Sequence, residues 1–228
     1  MSCPLCKPAP AAHLWREREK TLAWEGEPVL VYTVQALALP SAPARVERCY
    51  RRVEAVWAAR WEKSLYPRAC AALRAARAAS RPFRPWEASL SASVTLDTPE
   101  RLSLYWEAAE RLDGPHAVTL RRGDAWALPG GRPLTLAELF PSGFRWRRWV
   151  LEEAARQLRA RQASGESRFW PDWERRLASS FDPERFFLTE EGPSVFFPLY
   201  ALGPYVEGIP TFPLRLPAQE EAPVPAQF

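Results

Sequence analysis

Histidine and lysine are nearly missing from this chain of 228 residues, which has two histidines, three lysines (Lys7, Lys20 and Lys63) and one methionine. With His13 and His116 alone, the commonest side chain for proton transfer near neutral pH is scarce. No G-x-S-x-G elbow, phosphate-binding loop or dinucleotide fingerprint occurs. Four cysteines are too few to staple a chain of this length. No window reaches the roughly 18 uninterrupted apolar residues that a membrane span needs. The start, MSCPLCKPAPAAHLW, has no basic segment followed by an apolar one, so no secretory signal is visible and a cytoplasmic location is expected.

What is present reads as an ordinary globular protein. The chain is 47% hydrophobic and 25% charged, enough to bury one substantial core. Thirty-one basic residues against 27 acidic give a net charge of +4, too weak to imply a nucleic-acid partner. All but three of the basic residues are arginines, a bias expected of a GC-rich genome. Arg145, Arg147 and Arg148 therefore read as a solvated helix face, interrupted by Glu152 and Glu153. Eleven tryptophans are the compositional oddity. Trp57, Trp61, Trp106, Trp146 and Trp149 sit at core-like positions, whereas Trp86 and Trp126 lie near turns where a ring can meet a ligand.

The hydrophobic period changes along the chain. Residues 1–22 are rich in proline and alanine and then in charge, a flexible lead-in. Glu27 to Leu39 alternates like a strand. From Ala44, apolar residues at Val46, Tyr50, Val53, Trp57, Trp61 and Leu65 predict an amphipathic helix that Pro67 kinks or interrupts, with Ala69 to Ala79 continuing it. Trp86–Leu96, Arg101–Arg111 and His116–Leu128 predict three strands joined by short turns, hence an antiparallel meander. Helices follow at Phe144–Gln162 and Pro171–Ser180, then a hairpin around Glu190-Glu191-Gly192 and a strand from Thr211 to Leu216. The last twelve residues read as a disordered tail. The expected fold is α+β, a single domain over residues 23–216 with an antiparallel sheet packed against helices.

Candidate chemistry is sparse, and no catalytic residue is selected. His116, beside the Gly114-Pro115 turn, reads as a turn-stabilising or surface histidine. Cys3 and Cys6 are half of a zinc site or a redox pair, but the other cysteines and histidines match no zinc spacing, so no metal and no cofactor is expected. On a straight helix Cys49 and Cys70 lie about 30 Å apart, too far to bond unless Pro67 folds the segment back. Asp113, Asp124, Glu190 and Glu191 lie at turns, where solvated carboxylates are the rule.

One stretch carries a family signature. Residues 186–214 place Phe187, Leu188, Gly192, Phe196, Phe197, Tyr200, Pro204, Tyr205 and Gly208 in the order of an aromatic strand, a glycine turn, a second aromatic strand, a tyrosine, a Pro-Tyr pair and a glycine. This resembles the closing motif of the RsiV-like domain family, which forms the extracytoplasmic part of an anti-sigma factor and accompanies some peptidoglycan deacetylases. The resemblance extends over roughly residues 90–216, with Gly114 and His116 where members carry a Gly-Ala-Ala-His turn. Ala201 stands where members often have glutamate.

The resemblance implies a non-enzymatic module that binds a protein or glycan ligand, since the anti-sigma factor senses lysozyme through this domain. The alternative is an accessory or catalytic domain acting on cell-wall glycan. Binding candidates are Gly114, His116, Trp126, Tyr200, Pro204 and Tyr205. Gly203-Pro204-Tyr205 joins a rigid backbone to an amphipathic ring, so it serves either as a docking anchor or as a strand crossing with Tyr205 buried.

Overall fold

The computed structural model describes residues 14–39, 42–128, 130–165 and 167–216. Cys3, Cys6, His13 and the tail from residue 217 lie outside the described residues. The architecture is α+β, and the chain forms two compact units with their boundary in sequence at Pro133/Leu134.

In the first unit a six-stranded sheet takes its strands in chain order: β1 (Leu14–Trp24), β2 (Glu27–Ala38), β3 (Trp86–Asp97), β4 (Arg101–Arg111), β5 (Val118–Ala127) and β6 (Arg132–Pro133). The meander from β3 onward is antiparallel, as the short turns require. β2 and β3 instead run parallel, with Leu30 opposite Trp86 and Val34 opposite Leu90. Parallel neighbours need a long crossover, and the helical segment 44–78 supplies it. Leu30, Tyr32 and Val34 of β2, Leu102, Leu104 and Trp106 of β4, and Trp126 of β5 share a core with Val46, Tyr50, Trp61 and Leu65 of the crossover.

The crossover is helical throughout but changes pitch. Helix α1 (Ala44–Arg60) passes into a π turn at Trp61–Leu65 and then into α2 (Tyr66–Ala78), whose second residue is Pro67. A proline clashes with the carbonyl four residues back and offers no N–H. The wider π turn just before it accommodates both defects, so the expected interruption is a change of helical pitch. The turn also lets Trp61 and Leu65 both point inward, at 0% and 1% exposed. The Trp61 indole donates to Glu110 Oε1 at 3.1 Å, which also accepts from Arg60 Nε at 3.0 Å. Glu62 Oε1 accepts from the Tyr32 hydroxyl at 2.6 Å and from Lys20 Nζ at 2.7 Å. Burial, then the adjacent Glu62 carboxylate, push the Tyr32 hydroxyl well above its ordinary pKa. Cys49 and Cys70 are both free thiols.

Two expectations change here. Residues 14–22, read as a flexible lead-in, are part of β1, paired with β2 from Leu14↔Ala38 to Trp24↔Glu27. An edge strand with charges on both faces has no hydrophobic alternation to betray it. Its Arg18 reaches Glu54 at 2.7 Å, and this buried carboxylate also accepts the Leu37 N–H at 3.3 Å. Trp126, proposed as a ligand-contacting ring, is buried, with its indole donating to the Tyr50 hydroxyl at 2.7 Å. Trp86 is buried as well, and its indole donates to Asp113 at 2.9 Å.

The second unit begins with a 3-10 turn at Leu136–Leu139, capped reciprocally by Thr135 and Glu138. Helices α3 (Trp146–Ala163) and α4 (Trp173–Ser180) precede a separate three-stranded sheet of β7 (Phe186–Thr189), β8 (Gly192–Phe196) and β9 (Thr211–Pro213). The late hairpin thus forms its own antiparallel sheet instead of extending the first. Phe186, Phe187, Phe196, Phe197 and Phe212 are all buried. No described helix is long and apolar enough to cross a membrane.

Two predictions follow from the first unit's core. Trp61→Ala should cost about 3–5 kcal/mol in urea unfolding, because it empties the centre of the crossover packing and removes a donor from Glu110. Burial raises the pKa of Asp124, opposed by lesser contributions from Arg122, Trp106 and Tyr50. A carboxyl whose folded pKa is raised contributes stability at low pH that is lost as the pH rises through that raised value. Relative to Asp124→Asn, the native protein should therefore gain stability as the pH falls through that window, and a relative loss in parallel denaturation curves would contradict the assignment.

Candidate functional site

The chain leaves β8 through the buried Phe197 and returns to β9 by a loop over residues 198–210. Hydrogen bonds hold this loop at both ends and in the middle. The Ala201 N–H donates to the Pro198 carbonyl at 3.0 Å, and the Gly208 N–H to the Tyr205 carbonyl at 2.9 Å. Pro204 leads into a 3-10 turn at Tyr205–Glu207, which ends at Gly208 with φ +63°. The segment at 168–170 pins the loop from the side. The Trp170 N–H donates to the Leu202 carbonyl at 2.9 Å and its indole N–H to the Tyr200 carbonyl at 3.2 Å. Glu207 Oε1 accepts the Arg168 N–H at 2.6 Å. Gly203 allows this close approach, since a Cβ there would stand 2.8 Å from Glu207 Cγ and 3.0 Å from the Arg168 carbonyl oxygen.

This frame buries Leu202 completely while presenting apolar groups outward. Val206 is 80% exposed and Tyr200 is 47% exposed. The rings of Tyr200 and Tyr205 lie 6.1 Å apart at 43°, and Tyr205 is half-buried. Tyr200 has φ +66°, a left-handed conformation that is costly for a bulky residue and that often marks a functional position.

Of the sequence candidates, Tyr200, Pro204 and Tyr205 thus share one loop. Gly114 and His116 are exposed in the bend between β4 and β5 in the other unit. A Cβ at Gly114 would meet nothing within 4 Å, so that turn does not demand glycine. Sequence reasoning missed Val206 and the braces Arg168, Trp170 and Glu207. A lone valine in a turn carries no signal, and a brace separated by thirty residues or more has none either.

A cleft of about 610 Å3 lies elsewhere in the second unit, lined by Trp149, Glu153 and Gln157 of α3, by Thr189 and Glu191 of the hairpin, and by Arg215. The Thr189 side chain, with Glu191's own backbone, holds the Glu191 carboxyl below its ordinary pKa. Gly192 closes one wall, where a Cβ would stand 2.7 Å from the Leu214 carbonyl oxygen. Of the other carboxylates singled out, Asp113 accepts from Trp86 and Asp124 pairs with Arg122 at 3.4 Å.

Residues 137–216 match the family model described as "Protein of unknown function (DUF3298)". That segment lies within the second unit and holds the loop and the cleft, but not Gly114, His116 or Trp126. Two solved structures resemble the chain in fold. One is a DUF3298 family protein from Pseudomonas aeruginosa, 16% identical, with a TM-score of 0.57 over 88% of this chain and 87% of that one. The other is a DUF3298 family member from Bacteroides fragilis, 15% identical, with a TM-score of 0.57 over 90% of this chain and 91% of that one. No curated protein sequence matches the chain.

If close approach at Gly203 is what fixes the loop, Gly203→Ala should force Glu207 and Arg168 apart. Amide exchange should then quicken at Arg168 and Trp170 while the β7–β9 amides keep their protection. Unchanged exchange at both residues would show that the loop is held by other means.

Proposed function

We propose that the second unit is an RsiV-like binding module that docks a protein or glycan ligand on the loop Tyr200–Gly208. The observation that carries this reading is Tyr200, an exposed aromatic side chain held at φ +66° on a braced loop. Strain at an exposed tyrosine gains nothing for the core. A pre-ordered ring on the same loop as an exposed valine has the character of a binding hot spot, because little side-chain and loop entropy remains to be lost on contact. Tyr205 backs the ring of Tyr200, and Pro204 fixes the turn that presents Val206.

The second reading, a domain acting on cell-wall glycan, draws on the cleft where Trp149 and the carboxylates of Glu153 and Glu191 line one volume. Paired carboxylates are the usual equipment for glycoside hydrolysis. Mass spectrometry after incubation with peptidoglycan fragments separates the two, since turnover that is lost in Glu191→Gln belongs to the second reading alone.

The binding reading is tested at Tyr200 itself. Tyr200→Gly removes the ring and relieves the left-handed backbone, worth about 1 kcal/mol, so stability should hold or rise. A photo-crosslinker at position 206 should yield discrete adducts in the native cell that disappear in the Tyr200→Gly background. The same group at the exposed Glu152 position should not yield them. Identical adducts from both positions, or adducts indifferent to Tyr200→Gly, would remove the loop from consideration.

A further inference from the structure

We infer that the cleft formed where α2 ends, β3 begins and β4 ends binds a small organic carboxylate with an apolar tail. The cleft encloses about 740 Å3, a volume within the range of small-molecule pockets. All of its lining residues belong to the first unit, and it shares none with the Tyr200–Gly208 loop.

Local sequence fixes its walls. Ser80, at φ +50°, turns the chain out of α2, and the N–H groups of Ala79, Ser80 and Arg81 take up the carbonyls of Ala75, Arg77 and Ala76. The segment Arg81-Pro82-Phe83-Arg84-Pro85 then runs to Trp86 without helix or strand, with two of its backbone dihedrals locked by proline. On the sheet side, Glu87 of β3 stands opposite Arg111 of β4, and Asp113 in the turn beyond accepts the Trp86 indole N–H at 2.9 Å. Ala72, Phe83 and Leu112 pack against the core yet stay half-buried, so each keeps apolar surface for the cleft that it lines.

Charge selects the head group. Three guanidinium groups, from Arg81, Arg84 and Arg111, and two carboxylates, from Glu87 and Asp113, line the cleft. Arg111 pairs with Glu87 at 3.4 Å. Asp113 is bonded to a neutral indole, which leaves its charge uncancelled. Arg81 and Arg84 form no ion pair or side-chain hydrogen bond among the described residues. The balance is one positive charge beside apolar surface. A single carboxylate matches it, since a guanidinium can grip one with two parallel hydrogen bonds. The walls of Ala72, Phe83 and Leu112 suit a hydrocarbon tail. A phosphate monoester would bring two negative charges where one is matched, and an alkylammonium would bring the wrong sign.

The test titrates sodium octanoate into the whole chain and follows the amides by NMR. Octanoate should bind saturably and shift the amides of Arg81, Phe83, Arg84, Leu112 and Gly114. Butyrate should bind at least about tenfold more weakly, since each buried methylene is worth roughly fourfold. Octylammonium should not bind, and octyl phosphate should bind no more tightly than octanoate. Arg81→Gln with Arg84→Gln, two exposed positions whose fold circular dichroism can verify, should weaken octanoate by at least about tenfold. Arg48→Gln with Arg52→Gln, exposed on α1, should leave its affinity unchanged. Absence of saturable binding, or shifts centred on other residues, would overturn the inference. So would equal affinity for butyrate or octylammonium, tighter binding of octyl phosphate, an affinity indifferent to the Arg81 and Arg84 changes, or an equal loss in the α1 pair.

Discussion

A parallel pair of strands cannot be closed by a tight turn, and β2 and β3 run parallel from Leu30↔Trp86 to Val34↔Leu90. The rest of the first unit is organised by the crossover that this pairing demands. Residues 44–78 have to span the sheet on one face and descend at β3, and an amphipathic helix is the short, hydrogen-bonded way to do so. The stripe that began as a pattern in the sequence becomes the layer that covers Tyr32, Leu104 and Trp106. Its π turn places Trp61 at the centre, where the indole, Glu110 and Arg60 close one polar network and Glu62, Tyr32 and Lys20 another. Helix and sheet are thus joined both by apolar burial and by buried or half-buried acceptors whose partners come from the opposite layer.

That layer also sets what stays uncovered. α1 crosses toward Trp126 at its start and toward Glu110 at its end, so its flank meets β5 only over the second half of the strand. Val118 and Leu120 are therefore left in solvent although their pleat faces the same way as the core. The opposite edge is treated differently. β1 alternates arginine, glutamate and lysine, the composition that discourages further pairing at a sheet margin.

The second unit solves a different problem. A short three-stranded sheet of phenylalanines needs its loop to fold back closely, and Gly203 and Gly192 permit two approaches that a Cβ would block. The braces from residues 168–170 bear on backbone carbonyls and on one carboxylate, so they hold the loop through its main chain and Glu207. Val206 and the Tyr200 side chain are left pointing outward. Exposed ion pairs such as Arg148 with Glu152 and Arg175 with Asp172 contribute little to stability.

The sequence by itself determined the elements whose signal is local. The alternation of β2 to β5, the helical stripe from Val46 to Leu65, the helices at 146–163 and 173–180, and the Glu190–Glu191 hairpin each follow from period and turn chemistry. The Tyr200–Gly208 loop was legible for the same reason, because proline and glycine mark turns wherever they fold. Only the tertiary structure decided what depends on distant partners. β1 carries no apolar alternation and exists through its pairing with β2. Trp126 is buried, and its indole N–H donates to the hydroxyl of Tyr50, seventy-six residues away. The division into two sheets was set by which strands found neighbours. A strand's own residues encode its pleat, but not the identity of the strand beside it.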